Sequence, residues 1–159
     1  MKTFVAALLV SLAAAPALAA DSSSVTYPEG YRSWDHVKSM VINKGHPLFD
    51  AVGGIHSTYG NPKAMKGYKA NNQFPDGSVI VFDLFEAVDK DNTVTEGNRK
   101  AVVVMAKDSK KYRDSNGWGY QVFDPKTRNA TIDAKGAAGC HACHVQMKDQ
   151  DYVFSVWRQ

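Results

Sequence analysis

The tightest constraint on this chain is a pentapeptide near its C-terminus, Cys140-His141-Ala142-Cys143-His144, which holds both of its cysteines. On a helical turn, residues three apart share a face. Both thiols can then reach the two vinyl groups of one porphyrin and form thioethers, while His144 lies under the ring with its imidazole toward iron. C-x-x-C-H is the attachment sequence of c-type haem, and a proximal histidine is a standard haem ligand. Three other fates compete. A redox dithiol normally opens a helix just after an early strand, whereas this pair lies close to the C-terminus. A zinc site needs a fourth ligand and usually a second Cys/His pair; His36, His46 and His56 have no paired spacing. A plain disulfide, the usual fate of two thiols in an oxidising compartment, leaves His144 without a role. The reading is one covalent haem c per chain, held by Cys140 and Cys143, with His144 as the metal ligand. His141, at a variable position of the motif, is expected to face solvent.

The N-terminus reads as an export signal. Lys2 is a short positive region, Phe4 to Ala15 an apolar run, and Ala17-Leu18-Ala19 a small-x-small cleavage site. The run is shorter than the roughly 20 residues of a bilayer span, so cleavage after Ala19 or Ala20 and a periplasmic location are expected, with 1–19 as the signal peptide. Residues 20–30 read as a flexible leader and 31–159 as one soluble domain. Lys and Arg are scattered, with Lys110-Lys111 the only adjacent lysines. There is no basic stripe interleaved with aromatics, which argues against a nucleic-acid partner.

Along the domain, Trp34 to Ile42 fits either a short helix or a strand. Gly53 to Tyr59 resembles a strand ending at Gly60. Asn61-Pro62 reads as a helix start, an N-cap followed by proline at the first helical position, with a helix from Lys63 to Ala70 burying Ala64, Met65 and Tyr68. Ser78 to Phe85, rich in β-branched and aromatic residues, is the clearest strand. Asp89 to Gly97 reads as a polar connection before a second strong strand, Ala101 to Ala106, so a hairpin with a longish loop is expected. Trp118 to Phe123 is a third strand, and Ala137 to Met147 a helix holding the cysteine motif. The fold class is α+β: an antiparallel sheet, a few short helices, and a C-terminal helix with the haem motif.

Small electron-transfer cytochromes c are mostly helical with an N-terminal motif, and four-helix cytochromes c′ lack such strands. The landmarks Tyr31-Arg32-Ser33-Trp34, Ile55 to Tyr59, Phe74 to Val79, Lys107-Asp108-Ser109, Gly117-Trp118-Gly119, the C-x-x-C-H motif and Asp151 to Ser155 together resemble the cytochrome P-460 family, which includes the cytochromes c′-beta. That resemblance implies a homodimeric, sheet-rich fold with one five-coordinate haem per subunit.

The family holds two chemistries. Its hydroxylamine-oxidising members have a lysine cross-linked to the porphyrin and a distal glutamate that accepts protons. By position those fall on Phe82 and Val103, so both groups are missing. Asp83 follows Phe82 directly and on a strand points to the other face. Without a cross-link the haem should behave as an ordinary c-haem, and without a carboxylate no base stands beside the iron. An apolar distal wall favours small neutral gases, NO and CO, as in the phenylalanine-lined pockets of cytochromes c′-beta. The expectation is a gas-binding cytochrome with one-electron redox and an unidentified redox partner protein. The alternatives are a hydroxylamine-oxidising oxidoreductase and a six-coordinate electron carrier. His56 falls where the oxidising members have a distal arginine. It can serve as a distal hydrogen-bond donor, a sixth ligand, or a histidine bonded within the fold. Met105 reads as core.

Overall fold

The structure is a computed structural model that describes residues 25–158. The signal peptide expected over 1–19 lies outside the described residues. Five strands, β1 (Asp35–Ile42), β2 (Gly54–Gly60), β3 (Val79–Lys90), β4 (Thr93–Lys107) and β5 (Trp118–Phe123), form one antiparallel sheet in the order 1-2-3-4-5. Every strand pairs with its chain neighbours, the arrangement that short connections favour. Three helices complete the α+β fold: α1 (Phe49–Val52), α2 (Pro62–Lys69) and α3 (Ala134–His144), with 3-10 turns at Tyr31–Ser33, Arg113–Ser115 and Val145–Gln150. None of the helices among the described residues is long and apolar enough to cross a membrane.

Pairing decides what periodicity left open. Residues 35–42 form a strand because β2 offers a partner, with Met40 opposite His56 and Val41 opposite Ile55. The start of α2 is capped as expected. The Asn61 Oδ1 accepts from Ala64 N at 2.8 Å and from Val79 N at 3.1 Å, so one side chain fixes both the helix and the first residue of β3.

The central strands are apolar on both sides because both faces of the sheet are covered. On one face Ile80, Met105, Trp118 and Tyr120 pack with Ala64, Met65, Tyr68, Phe74 and Val153, and Cys140 of α3 joins them. Rings meet edge-to-face here, Tyr68 on Phe74 at 4.9 Å and Phe74 on Trp118 at 5.5 Å, contacts worth about 0.5–1.5 kcal/mol each beyond their burial. On the other face Val81, Val102, Val104 and Phe123 pack with Val25, Tyr31 and Tyr112. Asp83 is on this second face and fully buried. It accepts from Tyr31 Oη at 2.7 Å and from Arg32 Nη2 at 3.0 Å, and pairs with Arg99 Nε at 2.8 Å. Desolvation, then the adjoining carboxylate, pushes the Tyr31 phenol far up, so it remains a donor.

Two expectations need correction. The polar stretch 89–97 is not a long loop: β3 and β4 stay paired to Lys90–Thr93 and turn through Asp91-Asn92 alone, both at positive φ (55° and 59°). A two-residue turn with both central residues left-handed matches the twist of a hairpin. The stretch reads as loop because the ribbon from Glu86 to Asn98 is mostly solvent-exposed and therefore polar. Nor is 25–30 a flexible leader. Val25 is only 6% exposed, and Tyr27 packs edge-on against Phe123 at 5.3 Å. This segment covers the second face of the sheet, so apolar burial fixes it.

Candidate functional site

The cysteine motif is helical. Asp133 caps α3, its Oδ1 accepting from Gly136 N at 2.9 Å, and the helix runs to His144, placing Cys140 and Cys143 three residues apart on it. Both thiols are free. Cys140 is half-buried, and burial raises its pKa. That direction is opposite to the lowered pKa of an activated dithiol.

His144 is half-buried beside Tyr120, ring centroids 5.1 Å apart, and Phe154 at 4.9 Å. Burial lowers its pKa, partly offset by its bond to Tyr152, so the ring is neutral near pH 7. Nδ1 lies 2.6 Å from the Tyr152 carbonyl. A carbonyl only accepts, so Nδ1 carries the proton and Nε2 keeps its lone pair. This is the state an imidazole needs to bind a metal, with the second nitrogen's hydrogen bond fixing tautomer and orientation.

Opposite residues of an antiparallel pair share a face, so the register assigns the remaining residues. Phe82 is opposite Val103, and Val103 opposite Val122. All three are half-buried and form an apolar row on the face where Cys140 packs. The row lies two residues along the strands from the Ile80–Met105–Tyr120 row, about 7 Å at the usual strand rise. An apolar sheet face beside a helix that offers two free thiols and a neutral imidazole fits a flat apolar group with one metal centre. Asp83 is on the far face with its arginines, as the alternation requires. Lys107, the other ionisable neighbour, points its Nζ at Asp151 (2.6 Å). Met105 is 8% exposed in the core.

Two further histidines are fixed by the fold, His56 as one of its expected readings had it and His141 against expectation. His56 is fully buried and packs edge-on against Phe82 at 4.0 Å. Its Nε2 donates to the Val52 carbonyl at 2.5 Å, while Nδ1 is buried without a partner. Desolvation, and secondarily the Lys100 cation, lowers its pKa. It is therefore a neutral imidazole behind Phe82, with an acceptor and no second donor. His141 does not face solvent freely. Nδ1 lies 3.3 Å from Tyr120 Oη and Nε2 lies 3.1 Å from Asn116 Oδ1, which ties the motif helix to β5 and the turn before it.

The Tyr152 carbonyl was missed by sequence reasoning and carries no sequence signal, since any residue can supply one. Asp151 was visible only as part of a family landmark.

No curated protein matches the chain. The family model for Cytochrome P460 matches residues 28–155, nearly all of the described structure. With the C-x-x-C-H helix against one face of a five-stranded sheet, this match makes the chain a member of the cytochrome P460 family and a c-type haem protein.

Proposed function

We propose that this chain is an exported mono-haem cytochrome that binds small neutral gases, NO and CO, at an open iron position. One haem c is attached through Cys140 and Cys143, with His144 as proximal ligand. When bound, the haem supplies a metal centre that takes a diatomic ligand and cycles by one electron. The chain's own residues hold it, keep His144 neutral, and wall the distal side. The observation that carries the reading is Phe82 directly opposite Val103, on the face where Cys140 packs. Neither side chain can cross-link a porphyrin or accept a proton, so hydroxylamine oxidation lacks both its lysine and its base. An apolar wall disfavours anions, whose desolvation it does not offset. The reading includes a periplasmic homodimer that exchanges electrons with a redox partner protein.

The test is the spectrum of the reduced protein with and without CO and NO. A five-coordinate high-spin ferrous haem that binds both gases is expected, with haem staying on the denatured chain and stable iron ligation lost in His144→Ala. A strongly red-shifted Soret band would overturn the reading in favour of a cross-linked, hydroxylamine-oxidising haem. Sharp low-spin bands without CO binding would overturn it in favour of a six-coordinate electron carrier.

A further inference from the structure

Asp151 is the point where three separate segments meet the chain just after the motif. Its Oδ1 accepts from Lys107 Nζ at 2.6 Å, at the end of β4, and from Trp118 Nε1 at 3.3 Å, at the start of β5. Its Oδ2 accepts from the Phe74 backbone N at 3.1 Å. Lys107 is itself fixed, with Nζ 4.9 Å from the Trp118 ring centroid and 3.3 Å from the Asn116 carbonyl. The ion pair is mostly shielded, its side chains 11% and 15% exposed. Little solvent screens it, and its hydrogen bonds are charge-assisted.

The backbone here is unusual. Asp151 and Tyr152 are consecutive non-glycine residues in the left-handed region, φ 48° and 65°. Each such residue costs about 1–2 kcal/mol, and the conformation persists where surrounding contacts over-determine it. Backbone bonds from Asp151 N to Lys148 O (3.2 Å) and Tyr152 N to Met147 O (2.8 Å) close the turn. The three donors on the Asp151 carboxylate tie it to β4, to β5 and to the connection between α2 and β3. The turn turns the Tyr152 carbonyl onto His144 Nδ1 at 2.6 Å. Without that carbonyl, Nδ1 loses its proton acceptor and the imidazole its fixed orientation.

We infer that Asp151 is a positioning residue for the proximal histidine: through Lys107, Trp118 and the Phe74 amide it holds the Tyr152 carbonyl on His144 Nδ1, and so sets how strongly His144 donates electrons to iron. This rests on His144 being the proximal ligand. A strong Nδ1–H···O bond makes an imidazole a more basic ligand, so loosening the turn should weaken the iron–histidine bond and favour the reduced metal.

The experiment uses the holoprotein. Asp151→Asn and, as an independent lesion on the other partner, Lys107→Met are compared with Val104→Ala. Val104 is fully buried on the opposite face of the sheet, and its truncation loosens the fold without touching the turn. The readouts are the iron–histidine stretching band of the ferrous protein and its midpoint potential. Both Asp151→Asn and Lys107→Met should move the band to lower wavenumber and the potential upward, with Val104→Ala lowering the melting temperature and leaving both at the wild-type position. Unchanged band and potential in the two clamp variants, or an equal shift in Val104→Ala, would overturn the inference and leave Asp151 a stability residue. A wild-type protein with no iron–histidine band would instead overturn the proximal assignment itself.

Discussion

His56 makes the stability of this fold pH-dependent in a way that can be worked out atom by atom. The ring is fully buried, Nε2 is committed as a donor to Val52, and Nδ1 has no partner. Protonating it in the folded protein would place a cation against Phe82, without an acceptor for the new N–H and near Lys100. Desolvation, then that cation, therefore lowers its pKa. In the unfolded chain the same imidazole takes a proton below about pH 6.5. Below that value the unfolded state binds more protons than the folded one, so stability falls as pH falls; above it His56 contributes no pH dependence. The slope is one proton, about 1.4 kcal/mol per pH unit. The folded protein should thus lose up to about 1.4 kcal/mol between pH 8 and pH 5.5 from this residue alone, the loss levelling off once the depressed folded pKa is reached. Urea melts of wild type and His56→Gln at pH 8, 6.5 and 5.5 measure it. The glutamine amide can still donate to Val52 but does not titrate, and every other histidine is common to both proteins. The difference between the two should therefore shrink as pH drops. Parallel pH profiles would refute the argument, because they would mean that His56 finds an acceptor or water in the folded state and is not shut behind Phe82.

Three further outcomes follow from packing and charge. Asp83→Ala removes the carboxylate that Arg32 and Arg99 share and should cost about 3–5 kcal/mol in denaturant melts, with haem spectra unchanged because the site is on the other face. Gly67→Ala, favourable by helix propensity alone, should instead destabilise by about 1–3 kcal/mol. Its Cβ would come within 2.3 Å of Phe74 Cδ1 and 2.9 Å of Phe74 Cα, and a thermal melt equal to or above wild type would contradict this. Asn61→Ala strips the cap from α2 together with the bond to Val79 N, and should cost about 1–2 kcal/mol, read as a lowered midpoint of urea unfolding.

What a residue does through its immediate neighbours could be read from the chain. The apolar, β-branched run from Val79 to Phe85 specifies a strand because both faces are buried. Asn61-Pro62 specifies a helix start because the cap acts over three residues. The spacing of Cys140, Cys143 and His144 reads as a haem motif on a helix, and the helix is there, because the pattern is contained in one turn and a half. The two-residue turn at Asp91-Asn92 was not legible, since an exposed ribbon has the composition of a loop and only cross-strand pairing distinguishes them. The same holds for β1, most of whose residues are exposed, until β2 supplies its register. Tertiary structure alone decided the surroundings of the site. His56 lies behind Phe82 because β2 and β3 align in one particular register. The Tyr152 carbonyl meets His144 because Asp151 is tied to residues 33, 44 and 77 positions away in the chain. Such long-range contacts depend on which faces and edges the folded sheet brings together, and no local pattern of residue types encodes that.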